Sequence, residues 1–256
     1  MSKPTIFLSH ITEERDLAVV FKSQIENSFL GLVNVFQSTD PASVVVGQNW
    51  LNNITNALTQ CEVILLFCSP ESIQRPWINF ECGAGWGRQI EVVPLCHSGM
   101  RPVALPVPIS LLQGVQANQA NELQQIFDLI AKKLGASAPK IDIAHIAKSV
   151  SEFENHYMIT SVVTRGVAEI KAAVPGSLAV LAKVPANMVM AINGFPERYV
   201  ERLRTTFDAL QKAGVFSYSY QGMGMSFGGP HAGPMGDLTV KIAPELMEAI
   251  KKATRA

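Results

Sequence analysis

Val63-Ile64-Leu65-Leu66-Phe67-Cys68 is an unbroken apolar run of strand-forming character. A strand with one wet face alternates apolar and polar residues. A continuous run therefore predicts burial on both faces, the property of a central strand in a parallel sheet with helices on each side. Shorter β-rich runs supply its neighbours: Thr5 to Leu8 first, Leu32 to Phe36 second, Glu91 to Leu95 fourth, and Leu111 to Val115 as a short last strand. Helical patterns alternate with them. From Thr12 onward, Leu17, Val20, Phe21, Ile25 and Phe29 recur at spacings of three and four. Further helices are predicted over Trp50 to Thr59, after Ser69-Pro70, over Trp77 to Trp86, and over Gln119 to Leu134, the last closed by Gly135. Strand and helix in alternation define an α/β fold.

The chain has 256 residues, 48% of them hydrophobic, enough for one large domain or two modest ones. Ala136-Ser137-Ala138-Pro139 has linker composition, so the expected boundaries are a first domain over 1–137, a linker or connecting helix over 138–150, and a second domain over 151–256. In the second part, Ser151 to Ala173 reads as a helix, and Ser177 to Lys183 and Met188 to Ile192 as short apolar segments. Glu197 to Lys212 reads as an amphipathic helix. Phe216 to Tyr220 and Leu238 to Ile242 alternate like strands around a Gly-, Met- and Pro-rich tip from Gly222 to Gly236. That order suggests a smaller, winged-helix-like α+β domain.

Lys plus Arg total 21 and Asp plus Glu total 21, so there is no global field to gather nucleic acid or anionic lipid. From residue 140 onward 13 basic residues face 10 acidic ones, and Arg198, Arg202 and Arg204 are interleaved with Glu197, Glu201 and Asp208. Nucleic-acid binding by the tail is thus disfavoured against dimerisation or ligand sensing. The N-terminal apolar run stops at Ser9, giving no signal-peptide core. Leu178 to Ile192 is broken by Lys183, Pro185 and Asn187, so neither a membrane span nor a membrane partner is expected. Cys61, Cys68, Cys82 and Cys96 lack C-x-x-C spacing, which predicts buried reduced thiols, no metal site and a cytoplasmic setting. Cys96-His97 reads as a strand-end pair and not as a nucleophile. Gly83-x-Gly85-x-Gly87 lies on a helix instead of after a strand, so close packing explains it better than dinucleotide binding.

The most informative segment is Arg75-Pro76-Trp77-Ile78-Asn79-Phe80-Glu81. At i and i+4 on a helix, the Trp77 indole lies beside the Glu81 carboxylate. Alone, such a pair is more often a core tryptophan next to a solvated glutamate. Ile6-Phe7-Leu8-Ser9-His10, the run Val35-Phe36-Gln37-Ser38-Thr39-Asp40 leading to Gly47, Leu66-Phe67-Cys68-Ser69-Pro70 and Trp77-x-x-x-Glu81 arrive in an order and spacing that change the odds. Over roughly residues 3 to 135 the chain resembles a TIR (Toll/interleukin-1 receptor) domain, in particular those of bacterial proteins, with His10 where tyrosine is common.

The resemblance implies a flavodoxin-like sheet and an NAD glycohydrolase that releases nicotinamide, with Glu81 as the catalytic carboxylate. NAD is then the substrate, and no cofactor is implied. It further implies substrate contacts from Ser9, His10, Ile11, Phe36, Ser38, Asp40, Trp50 and Trp77. Phe36 and Trp50 read equally well as core residues, and Asp40 as a turn residue. Ser43, Val44, Val45, Val46 and Gly47 correspond to the family's BB loop, which covers the substrate or completes a neighbouring subunit's site. The expected role is an assembly-activated anti-phage or stress effector, self-associating through this domain and receiving a trigger ligand or protein at the second. A non-enzymatic TIR scaffold and a nucleic-acid-gated signalling adaptor are the alternatives.

Overall fold

Around the apolar hexamer, five parallel strands form one sheet. The computed structural model describes residues 3–37, 50–226 and 233–255, leaving the side chains of Trp50, Leu51 and Ser226 undescribed. The expectations for Ser38, Asp40 and Ser43 to Gly47 fall outside the described residues. The chain divides into two compact units, residues 1–155 and 156–256.

In the first unit, β1 (Thr5–Ser9), β2 (Asn34–Gln37), β3 (Cys61–Cys68), β4 (Glu91–Cys96) and β5 (Val115–Gln116) pair in the order β2-β1-β3-β4-β5. All four pairings are parallel. This is the flavodoxin-like order, with its switch point between β1 and β3. From Val63 to Cys68, β3 is solvent-free. Ile64 and Leu66 pack with α2 (Trp50–Gln60) and α3 (Pro76–Gly87) on one face. On the other, Val63, Leu65 and Phe67 pack with α1 (Arg15–Ser28), α4 (Ala120–Lys133) and the first turns of α5 (Ile143–Ala173).

The segment after Ser69-Pro70, expected as a further helix, is a single 3-10 turn over Ser72–Gln74. Proline at 76 disfavours a helical residue before it, and Arg75 is extended with ψ 122°. Proline then occupies the first turn of α3, where its missing N–H costs nothing. Gly85 faces the sheet. A Cβ there would come within 2.6 Å of both Ile64 Cδ1 and Val92 Cγ2, so a glycine lets α3 approach the strands. Gly83 and Gly87 meet no such crowding.

α5 is continuous from Ile143 to Ala173. Ile143, Ile146, Ala147 and Val150 belong to the first unit's core, so of the segment expected as a linker or connecting helix, the part from Ile143 is helical and packs inside the parallel-sheet unit. Val163, Val167 and Ile170 belong to the second unit's core. That unit continues with α6 (Ser177–Leu181), β6 (Val189–Pro196), α7 (Glu197–Lys212), β7 (Phe216–Ser226), β8 (Gly233–Ile242) and α8 (Pro244–Arg255). Its sheet is antiparallel, in the order β6-β8-β7.

The connectivity differs from the winged-helix expectation. A helix-turn-helix needs two consecutive helices. Between β6 and β7 there is only α7, and β8 lies between those two strands, which makes a split β-α-β followed by a hairpin. α8 carries Leu246, Met247 and Ile250 into the core, an i, i+1, i+4 pattern on one helix face. The tip expected from Gly222 to Gly236 is largely hairpin: the ladder continues past Gly222 through Gly224–Met235 to Ser226–Gly233. Backbone pairing needs no side chains, and a Cβ at Gly236 would come within 2.7 Å of Tyr220 Cζ and closer still to the Gln221 carbonyl. Residues 227–232 of that tip are outside the described segments. Among the described residues no helix is long and apolar enough to cross a membrane.

The close approach at Gly85 is testable by equilibrium unfolding. Gly85→Val should lower stability by about 1–3 kcal/mol through overpacking. Gly83→Ala, on the same helix but in open space, should leave stability equal or slightly higher.

Candidate active site

Successive β1 side chains point to opposite faces of the sheet. Phe7 therefore joins the core beneath α2 and α3, Leu8 joins the other, and Ser9 returns to the side of α3. Glu81 is on the second turn of α3. Its side chain is wholly buried, as is Ser9. The Ser9 hydroxyl donates to Glu81 Oε2. Trp77 Nε1, one turn earlier, donates to Glu81 Oε1 at 2.7 Å. The indole can only donate, so one carboxylate oxygen is fixed as an acceptor. The Trp77 ring is itself held by Phe80, with centroids 5.0 Å apart.

This carboxylate stands at the C-terminal end of β1, the strand at the switch point, where open α/β sheets bind ligands. Phe36 stacks on Phe7 at 5.3 Å on the same face and is only partly buried. Ile11 is buried in the same core. Thus Ser9, Trp77 and Glu81 are in direct contact, with Phe36 and Ile11 on their side of the sheet.

His10 is placed differently. Its ring lies 6.1 Å from Phe67, a residue of the opposite core, and its Nδ1 is 3.1 Å from Leu8 O. Burial lowers its pKa, favouring the neutral ring. It belongs with a second buried carboxylate. Glu14, also solvent-free, accepts from Ser69 Oγ at 2.7 Å and from Ile11 N at 3.2 Å, and its Oε1 lies 3.1 Å from His97 Nε2. Burial by itself would raise the Glu14 pKa. The bond and charge of His97, with the bonds from Ser69 and Ile11, outweigh it and hold the pKa below its ordinary value.

The network continues through His97. Its Nδ1 is 3.0 Å from Ser98 Oγ, and Glu154 of α5 accepts from Ser98 N and Asn118 Nδ2, each at 2.8 Å. Sequence patterning did not reveal this cluster: Glu14 read as part of a helix start, and Ser69 as the end of a strand. Cys96, next to His97, is solvent-free, and burial with the charge of Glu122 pushes its thiol up to about 12. It is not a nucleophile at neutral pH. All four cysteines are buried and unbridged.

Residues 6–130 match the family model described as TIR domain. No curated protein matches the chain.

The buried Glu14 makes stability pH-dependent with a defined sign. Its lowered pKa contributes stability that is complete above the ordinary value of 4.5 and is lost as pH falls through the folded value. His10, also lowered, contributes fully above 6.5 and less as pH drops below it. Thermal unfolding should therefore show a falling Tm as pH is lowered from 7 towards 4. Glu14→Gln should cost about 1–3 kcal/mol near neutrality by weakening the buried acceptor that Ser69 and Ile11 N share, and its deficit relative to the unaltered protein should shrink in acid.

Proposed function

From a TIR domain at residues 6–130, a family that includes both signalling modules and NAD-cleaving enzymes, we propose that this protein is an NAD glycohydrolase with Glu81 as its catalytic carboxylate. The observation that carries the reading is the solvent-free Glu81 held between the Ser9 hydroxyl and the Trp77 indole at the ligand-binding end of a parallel sheet.

One carboxylate is sufficient for this chemistry. Glycosidases generally require a second carboxyl to protonate the leaving group. Nicotinamide needs none: when the bond from the ribose C1′ to its ring nitrogen breaks, the electron pair neutralises the pyridinium and a neutral molecule leaves. The ribose is left as an oxocarbenium-like cation. Water adds to C1′ and releases a proton, giving ADP-ribose; attack by an adenine nitrogen on the same cation, with loss of a proton and no water added, gives cyclic ADP-ribose. In this reading a ribose hydroxyl replaces the Ser9 hydroxyl on Glu81, and the carboxylate, kept from water and oriented by Trp77, stabilises the developing positive charge. Phe36 and Trp50 are proposed to flank the substrate, and Ser38, Asp40 and the segment Ser43 to Gly47 to close over it.

Glu81→Gln keeps the shape of the side chain and removes its charge. It should abolish nicotinamide release, with a fall of at least about a hundredfold, while the unfolding curve stays close to that of the unaltered protein. Trp77→Phe, which keeps the packing but loses the indole donor, should cost about tenfold in kcat/KM. Full nicotinamide release by Glu81→Gln would overturn the reading and leave the signalling scaffold.

Association is the second element of the proposal. If the Val44 to Gly47 segment of one subunit completes the site of another, specific activity should rise with protein concentration instead of staying constant. A titration across the association range, read by nicotinamide release, checks this.

A further inference from the structure

The second unit contains a cavity of about 350 Å³ that the nicotinamide chemistry does not use. It lies between the end of α5, the short α6, the inner face of the antiparallel sheet, α7 and α8. Phe207 of α7 and Leu238 and Val240 of β8 line one side, and Val174, Val180 and Leu181 the other. Protein interiors are packed nearly as densely as organic crystals, and voids larger than a water molecule are few. Apolar cavities of about 150 Å³ stay dry and take up benzene, so this one has room for on the order of a dozen heavy atoms.

One polar side chain lines the cavity, that of Ser177. Its Oγ is buried and has no hydrogen-bond partner among the described residues. Buried hydroxyls are almost always partnered, and an orphan costs free energy. Ser177 follows Gly176, which turns the chain with φ +82° into α6, and the backbone there places the hydroxyl out of reach of any acceptor of the described residues. No charged side chain of the described residues lines the cavity, and a carboxylate or ammonium beside Ser177 would be desolvated without a counter-ion.

We propose that this cavity binds a small, neutral, largely apolar molecule carrying one hydrogen-bonding group, which meets Ser177 Oγ. The volume sets the size, the lining sets the apolar body, and the orphaned hydroxyl sets the single polar contact. The site stands whether or not Glu81 cleaves NAD, because its readout is binding.

The test is calorimetric titration of the full chain with decanol, decanoate and butylbenzene, each also read by the shift in Tm. Decanol and butylbenzene should bind saturably at one site per chain and raise Tm, and decanoate should bind at least about tenfold more weakly than decanol. Ser177→Ala should weaken decanol about five- to tenfold and leave butylbenzene unchanged, and Ser177→Thr should retain decanol binding. Val180 is 55% exposed, so Val180→Trp tests occlusion from a surface position. It should abolish binding of both probes with circular dichroism and the Tm of the unliganded protein preserved. Absence of saturable binding by both neutral probes, or binding that Val180→Trp does not affect, would overturn the proposal.

Discussion

β3 cannot be left wet on either side. Its residues from Val63 to Cys68 are solvent-free, so helices must cover both faces of the sheet, and everything in the first unit follows from meeting that demand. α3 meets it on one face by bringing Gly85 against Ile64 and Val92. The same docking fixes the helix that carries Trp77 and Glu81 beside the end of β1. The position of the candidate catalytic carboxylate is thus a consequence of core packing: a wider helix-to-sheet spacing at Gly85 would move Glu81 away from Ser9.

The two faces each bury a glutamate near the C-terminal ends of the strands, and their partners differ. Glu14 has an imidazole at ion-pair distance and bonds from a hydroxyl and a backbone amide, and it ties the ends of β1, β3 and β4 together. Glu81 accepts from two neutral donors, Ser9 and Trp77. A neutral hydroxyl such as that of Ser9 is a partner that a substrate hydroxyl can replace without a change of charge, and the chemistry proposed for Glu81 uses that exchange.

The second unit follows another logic. Its hairpin is continued by backbone pairing through glycines, and its single sheet face is covered by α5, α7 and α8. α6 is only five residues long, and the chain enters it through Pro175 and Gly176. A cover so short and so constrained leaves space above Leu238 and Val240 instead of closing on them. An apolar cavity with one orphaned hydroxyl belongs with ligand binding more readily than with tight core packing.

The sequence by itself determined the elements whose signal is local. The unbroken Val63–Cys68 run specified a central strand, the spacing from Glu197 to Lys212 specified α7 to the residue, and Trp77 with Glu81 could be placed on one helix face from their interval alone. Tertiary structure decided what depends on partners far away in the chain. Ser9 and Glu81 are 72 residues apart, and only the docking of α3 on the sheet joins them. His10 had looked like a companion of Ser9, but strand alternation turns it to the other face. Glu14, His97 and Glu154 gave no joint pattern because hydrogen-bonded networks are made by contact and not by interval. The segment from Gly222 to Gly236 reads locally as a tip and not as strand for a related reason: glycine lowers strand propensity locally, whereas the ladder that overrides it is supplied by the neighbouring strand.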